Sequence, residues 1–211
     1  MGDTVLVLNE REAVPIVWIG QRVVNCARHL RPEQVWPVRI RAGAFGSARP
    51  CRDLLLSPDH AVYVDVDTED GVPGVLIPVR LLINGGSIAQ VKMDQVTYYH
   101  VELPRHDVVL AEGLPAESYL DTGNRGNFAN AGGAVALHPD FASLTWDAAG
   151  CAPLVVTGPR LEAVRRRLAE RADGNMPGAA PGRDGMDHDP QRRKARLSRR
   201  AGSGVRESRR G

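Results

Sequence analysis

Two short stretches of this chain hold the side chains best suited to moving protons. In Ser57-Pro58-Asp59-His60 a hydroxyl and an imidazole stand three residues apart. In Tyr98-Tyr99-His100-Val101-Glu102-Leu103-Pro104-Arg105-His106-Asp107 a histidine is followed directly by a carboxylate. Imidazole has an ordinary pKa near 6.5, so it can both take and give a proton close to neutrality. A carboxylate beside it favours the charged ring. Each stretch also has a plain structural reading. Ser followed by Pro is a common helix start, with Ser as N-cap and Pro in the first turn, and His60 is then an ordinary loop residue. Asp107 either orients His106 or ends a hairpin.

Other groupings carry less. Asp65, Asp67, Glu69 and Asp70 form an acidic run, but it lacks the distant bidentate glutamate of a calcium loop, so a solvated turn and no bound metal are expected. Cys26, Cys51 and Cys151 are odd in number, far apart and without CxxC spacing. That argues against a disulfide framework or a zinc site and fits a reducing compartment. Each reads as a small, partly buried filler. No cofactor is implied.

The elements that must position the two blocks read as short strands. Candidates are Thr4–Leu8, Pro15–Ile19, Val35–Arg41, Asp53–Leu56, Ala61–Val64, Gly74–Ile77, Gln95–Leu103 and Val108–Glu112. They are rich in β-branched residues, with Gly, Pro, Asn and Asp between them, a spacing that suits an all-β barrel or sandwich. Asn84-Gly85-Gly86 either closes a tight hairpin or follows one helical turn over Val79–Ile83. One helix is expected over Pro159–Ala172, with Pro in the first turn and Gly174 past the end. Leu161, Val164 and Leu168 mark its buried face, with Arg165, Arg166, Arg167 and Arg171 elsewhere. A strand-like Ala152–Val156 precedes it.

The two blocks resemble the histidine-bearing blocks of the Hint (Hedgehog/intein) domains, in which a protein cuts its own backbone. Ser57 and His60 match a Thr/Ser-x-x-His block, and Thr97–Gly113 is spaced like the late block in which His106 corresponds to the histidine. Asp107 stands where many inteins carry Asn. The similarity runs on through Trp18-Ile19-Gly20, Pro37-Val38-Arg39-Ile40, Pro78-Val79-Arg80-Leu81-Leu82-Ile83-Asn84-Gly85, Ala116-Glu117-Ser118-Tyr119-Leu120-Asp121-Thr122-Gly123 and Cys151-Ala152-Pro153-Leu154, so it covers roughly residues 2–172 and resembles one bacterial branch. It implies a horseshoe-like all-β Hint fold and an autoproteolytic activity by N-to-S acyl shift. In that chemistry the first side chain of the domain attacks the preceding carbonyl. The block histidine protonates the leaving nitrogen, and the block hydroxyl helps to hold the scissile peptide.

The nucleophile of such a domain is an initial Cys or Ser, whereas this chain opens Met1-Gly2-Asp3-Thr4. The resemblance therefore implies an N-terminally incomplete member, inactive as given. The partner would be an upstream segment of its own precursor. Two alternatives remain open: a non-catalytic interaction module on the same scaffold, or a start upstream that restores the cysteine. No His-Asn pair followed by Cys, Ser or Thr is present, which argues against ligation of flanking segments.

Composition sets the remaining bounds. The 211 residues, 43% hydrophobic, fit one domain with a tail. Residues 1–135 are expected to form the β domain, 136–172 a strand–helix appendage and 173–211 a disordered basic tail. From Gln191 onward nine Lys/Arg face one Glu, a local charge of +8, which leaves −6 for residues 1–190 out of a total of +2. The tail alone is a candidate for contact with nucleic acid, and it lacks interleaved aromatics for base stacking. Without a basic-then-apolar leader or a stretch of ~18 apolar residues, a cytoplasmic, non-membrane chain is expected.

Overall fold

The computed structural model describes residues 2–8, 13–65, 74–130, 146 and 148–173. Among the described residues, eleven short strands alternate with 3-10 turns and precede one long helix. The strands are β1 (Thr4–Val5), β2 (Val14–Pro15), β3 (Trp18–Asn25), β4 (Val38–Ile40), β5 (Leu54–Leu56), β6 (Ala61–Val64), β7 (Val75–Pro78), β8 (Ile88–Gln90), β9 (Gln95–Glu102), β10 (Val108–Ala111) and β11 (Leu114–Glu117), and the helix is α1 (Pro159–Asp173). The fold is all-β with a C-terminal helix.

Strand pairing is antiparallel within four small sheets, ordered β1-β2, β10-β11-β6-β7, β3-β9 and β5-β4-β8. The longest ribbon pairs β3 with β9 over eight residues, from Trp18 opposite Glu102 to Asn25 opposite Gln95. Alternation along it sends Tyr99, Ile19 and Val23 outward, while Gly20 and Val24 are buried. The core gathers Val38, Ile40, Val62, Val64, Val75, Ile77, Leu82, Ile88 and Leu114 from several sheets. Leu161, Val164 and Leu168 of α1 complete it, each under 5% exposed, so the helix face expected from spacing is the buried one. Residues Met1–Met176 form one compact unit.

Several expected strands are shorter or replaced. Val35 closes a 3-10 turn begun at Pro32–Gln34, so β4 starts only at Val38. Proline at the first position of that turn favours its tight backbone. Val79–Leu82 is a 3-10 turn, and Asn84 next to it takes the N–H groups of Gly86 and Ile88 on its side-chain oxygen, with Gly85 at φ +74°. The helical-turn reading is the one formed. Ala152–Val156 makes a single parallel bridge, Leu76 to Leu154, flanked by hydrogen bonds from the Leu76 N–H to the Pro153 carbonyl (2.9 Å) and from the Val155 N–H to the Leu76 carbonyl (2.8 Å). This segment covers the outer edge of β7. Asp67, Glu69 and Asp70 of the acidic run, the 135/136 boundary and the basic tail from Gly174 onward lie outside the described residues. No described helix is long and apolar enough to cross a membrane.

Candidate functional site

Ser57-Pro58-Asp59-His60 is a tight turn joining β5 to β6, not a helix start. The His60 N–H donates to the Ser57 carbonyl at 3.0 Å, with Pro58 at the second position, where its fixed φ suits a β-turn. The turn is pinned from outside. The Val79 N–H donates to the His60 carbonyl (2.9 Å), the Arg80 N–H to the Pro58 carbonyl (3.0 Å), and the Arg80 guanidinium to Asp59 (2.6 Å). Four residues that read as a loop are thus held by the main chain of Val79–Arg80 and by the Arg80 side chain.

Ser57 and His60 line a cleft of about 1090 Å³ together with Tyr98, His100, Glu117, Tyr119, Phe128, Trp146 and Cys151. His100 comes from the inward face of β9, and its ring lies 5.6 Å from His60 and 5.2 Å from Phe128 between centroids. Trp18, Tyr119 and Phe128 form an aromatic group around it, which is possible because Gly20, opposite His100 in the ribbon, has no side chain. A Cβ on Gly20 would come within 2.4 Å of the Trp18 ring and 2.8 Å of Phe128.

His106 sits behind this cleft. It lines an adjoining cavity of about 680 Å³ with Asp107, Glu102 and Cys151. Its imidazole is fully buried against Trp146, at 5.2 Å between centroids. The Cys151 N–H donates to Nδ1 at 3.1 Å, while Nε2 points toward Glu117 Oε2 at 3.8 Å and makes no hydrogen bond of ordinary geometry. Glu117 closes the gap between the two histidines. Its Oε1 accepts the Ala61 N–H at 2.6 Å, and its main-chain carbonyl lies on the His60 side, where it favours the charged ring.

Burial dominates the electrostatics. Desolvation, followed by repulsion from His100 and His106, pushes His60 down to about 3, so the ring is neutral through most of the pH range. His100 is lowered by burial and by Arg22. His106 is lowered by burial, partly offset by the Ser118 carbonyl and Asp107. Glu117 moves the other way, up to about 7, because burial outweighs the Ala61 N–H that would favour its charge. Asp107 is occupied by the main chain. Its N–H donates to Ser118 Oγ (2.9 Å) and its Oδ1 accepts the Val108 N–H (2.7 Å), an arrangement that starts β10 and leaves its charge within reach of His106.

The structure therefore brings Ser57 and His60 into one cleft and sets His106 and Asp107 beside it. Glu117 and His100 were not singled out in the sequence. The alternation of β9, with Tyr99 outward, was the available signal for His100. For Glu117 there was none, since a carboxylate after Leu114-Pro115-Ala116 looks solvated. The cysteines also depart from expectation. Only Cys26 is a buried filler; Cys51 is exposed and donates to Glu112, and Cys151 is exposed yet part of the cleft wall. Burial, with Asp107 and Glu117 nearby, pushes the Cys151 thiol up to about 11, which suppresses the nucleophilic thiolate. Among the described residues, no three His, Cys, Asp or Glu side chains are arranged to hold a metal ion.

No curated protein and no solved structure matches this chain. A model of the Hint domain matches residues 1–123, a span that contains Ser57, His60, His100, His106 and Glu117. With more than half of the sequence and both histidine blocks inside that match, the chain belongs to the Hint domain family, whose members cut or splice their own polypeptide.

Proposed function

We propose that this cleft is the acid–base part of an autoproteolytic site that converts an N-terminal peptide bond to a thioester. The observation that supports it best is the pairing of Ser57 with a partly buried, neutral His60 on one pinned turn at the cleft wall. A neutral imidazole has one bare nitrogen. That nitrogen is the one able to take a proton from a thiol. The thiolate sulfur then attacks the carbonyl carbon of the preceding residue, the C–S bond forms, and the C–N bond breaks as His60 returns the thiol proton to the departing amine. Ser57 would hold the scissile carbonyl or its developing oxyanion.

The thiol belongs on a residue ahead of Gly2-Asp3, and the segment that precedes that residue would be the one released. Cys26 is fully buried and its thiol is raised by that burial, Cys51 donates to Glu112, and the Cys151 thiolate is suppressed. A chain extended at its N-terminus by a reporter peptide ending in Cys should cleave on addition of a small thiol. His60→Ala in that extended chain should slow cleavage by about 100-fold, the ordinary worth of a positioned proton-transfer group. Equal rates would remove His60 from the chemistry.

A further inference from the structure

His106 is the histidine of the late block, yet neither of its nitrogens opens onto the main cleft. Its side chain is fully buried, and the cleft is lined by His60, His100 and Glu117 but not by His106. What His106 does hold is the cleft wall. We infer that His106 is a positioning residue, which anchors the wall at Trp146 and Cys151 by accepting the Cys151 N–H on Nδ1, and does not itself exchange protons with the reacting atoms. The inference rests on the autoproteolytic reading only for the cleavage rates. The anchoring is a matter of contacts alone.

The tautomer of His106 follows from one of them. A main-chain N–H can only donate, so Nδ1, 3.1 Å from the Cys151 nitrogen, accepts and is unprotonated. The neutral ring then carries its proton on Nε2. That atom is buried and makes no hydrogen bond, with Glu117 Oε2 at 3.8 Å, beyond hydrogen-bond distance. One nitrogen is thus occupied by the wall, and the other faces a carboxyl rather than open space. Burial lowers the proton affinity of the ring, which keeps the acceptor bare near neutrality.

The wall has few other ties. At its far end the Pro153 carbonyl and the Val155 N–H are bonded to Leu76 of β7. At the near end, among the described residues, the bond from Cys151 to His106 is the one that joins Trp146, Gly150 and Cys151 to the rest of the fold. Trp146 adds its ring, packed edge-on against the imidazole at 5.2 Å between centroids. The Gly150 N–H closes back on the Trp146 carbonyl at 2.8 Å. A Cβ on Gly150 would stand 2.7 Å from that oxygen and 3.1 Å from the indole nitrogen, so the turn is tightly filled. Trp146, Gly150 and Cys151 all line the main cleft. A shift of His106 therefore moves the wall without any contact between His106 and what the cleft holds.

Two variants separate anchoring from proton transfer. His106→Phe keeps a ring against Trp146 but has no acceptor. His106→Asn keeps an acceptor near the Nδ1 position and cannot carry a proton near neutrality. In hydrogen exchange of the full chain, the Cys151 amide should exchange about fivefold faster in His106→Phe, the effect of roughly one hydrogen bond. It should stay near the native rate in His106→Asn. The Val155 amide, bonded to Leu76, should be unchanged in both. Equal acceleration at Cys151 and Val155 in His106→Phe would signal general loosening and overturn the inference. NMR of the native chain with nitrogen-labelled histidine should find His106 in the Nε2–H form. The Nδ1–H form would sink the anchor, and this measurement decides alone should neither variant fold. In the cysteine-extended chain, His106→Phe should cleave about tenfold more slowly, and His106→Asn should recover most of that loss. If both variants lose the rate equally while Cys151 stays protected in His106→Asn, His106 acts through its proton and the inference fails. No cleavage in the extended chain with native His106 defeats the autoproteolytic reading, and exchange and tautomer then still decide the anchor.

Discussion

His60 and Glu117 are neighbours whose environments push their proton affinities apart, one imidazole too acidic to charge and one carboxyl too basic to ionise readily. Stability should record both. The unfolded chain binds protons at its histidines near 6.5, while folded His60 stays neutral to about 3, so stability falls as the pH drops through that window. Glu117 works in the opposite sense. Between the ordinary carboxylate range and about 7 the folded state keeps a proton that the unfolded state has released, so stability falls as the pH rises, by at most roughly 3 kcal/mol. Glu117→Gln cannot ionise, so relative to the native chain its urea midpoint should improve between pH 5 and pH 8. A difference that is the same at both pH values would show that Glu117 ionises normally. Of the residues involved, Ser57 and His60 were legible because their spacing is local and the turn itself places them. Glu117 was not, because only the pairing of β11 with β6, Ala116 opposite Val62, carries it to the Ala61 N–H.

The β3–β9 ribbon shows how an element sets a side chain some distance from any motif. Gly20 is buried opposite His100, and the missing Cβ is filled by the Trp18 and Phe128 rings. Gly20→Ala should displace those rings, at about 1–3 kcal/mol for an overpacked site, and should shift the aromatic NMR resonances of His100 and Tyr119. If the variant keeps native stability and spectra, the glycine is incidental to the cleft. The ribbon was only half visible in the sequence. Gln95–Leu103 is β-branched and aromatic, whereas the second half of β3, Arg22-Val23-Val24-Asn25, sits before Cys26 with no turn residue to announce it. Two further strands were missed for stated reasons. Ile88–Gln90 is too short to show alternation, and Pro115 argues against Leu114–Glu117, although it sits opposite Leu110 at a position where β11 tolerates a missing donor. The helix α1 was legible almost to the residue, since a 3.6-residue repeat over four turns is a longer signal than any of these strands.

At the scale of the whole molecule, the family match ends at residue 123, but the cleft and the core do not. Trp146, Gly150 and Cys151 wall the site, and Leu161, Val164 and Leu168 are packed among strand residues 40 or more positions earlier in the chain. A chain cut after residue 123 should therefore lose cooperative thermal unfolding, while one ending at Met176 keeps the full compact unit and its midpoint. An equally cooperative melt for the shorter chain would place these residues outside the folding unit. The parallel bridge at Leu76 gives the cut a second cost. Val75-Leu76-Ile77-Pro78 is buried throughout, and β7 lies at the end of its sheet, with β6 on one side and residues 153–155 on the other. Among the described residues, two hydrogen bonds join the wall to that strand's main chain, one from the Leu76 N–H and one to the Leu76 carbonyl. When the wall is absent, a hydrophobic strand edge stands open with its N–H and C=O groups unpaired, a template onto which a second chain can add. The segment that shelters the histidines thus also caps a strand edge onto which a second copy could otherwise add.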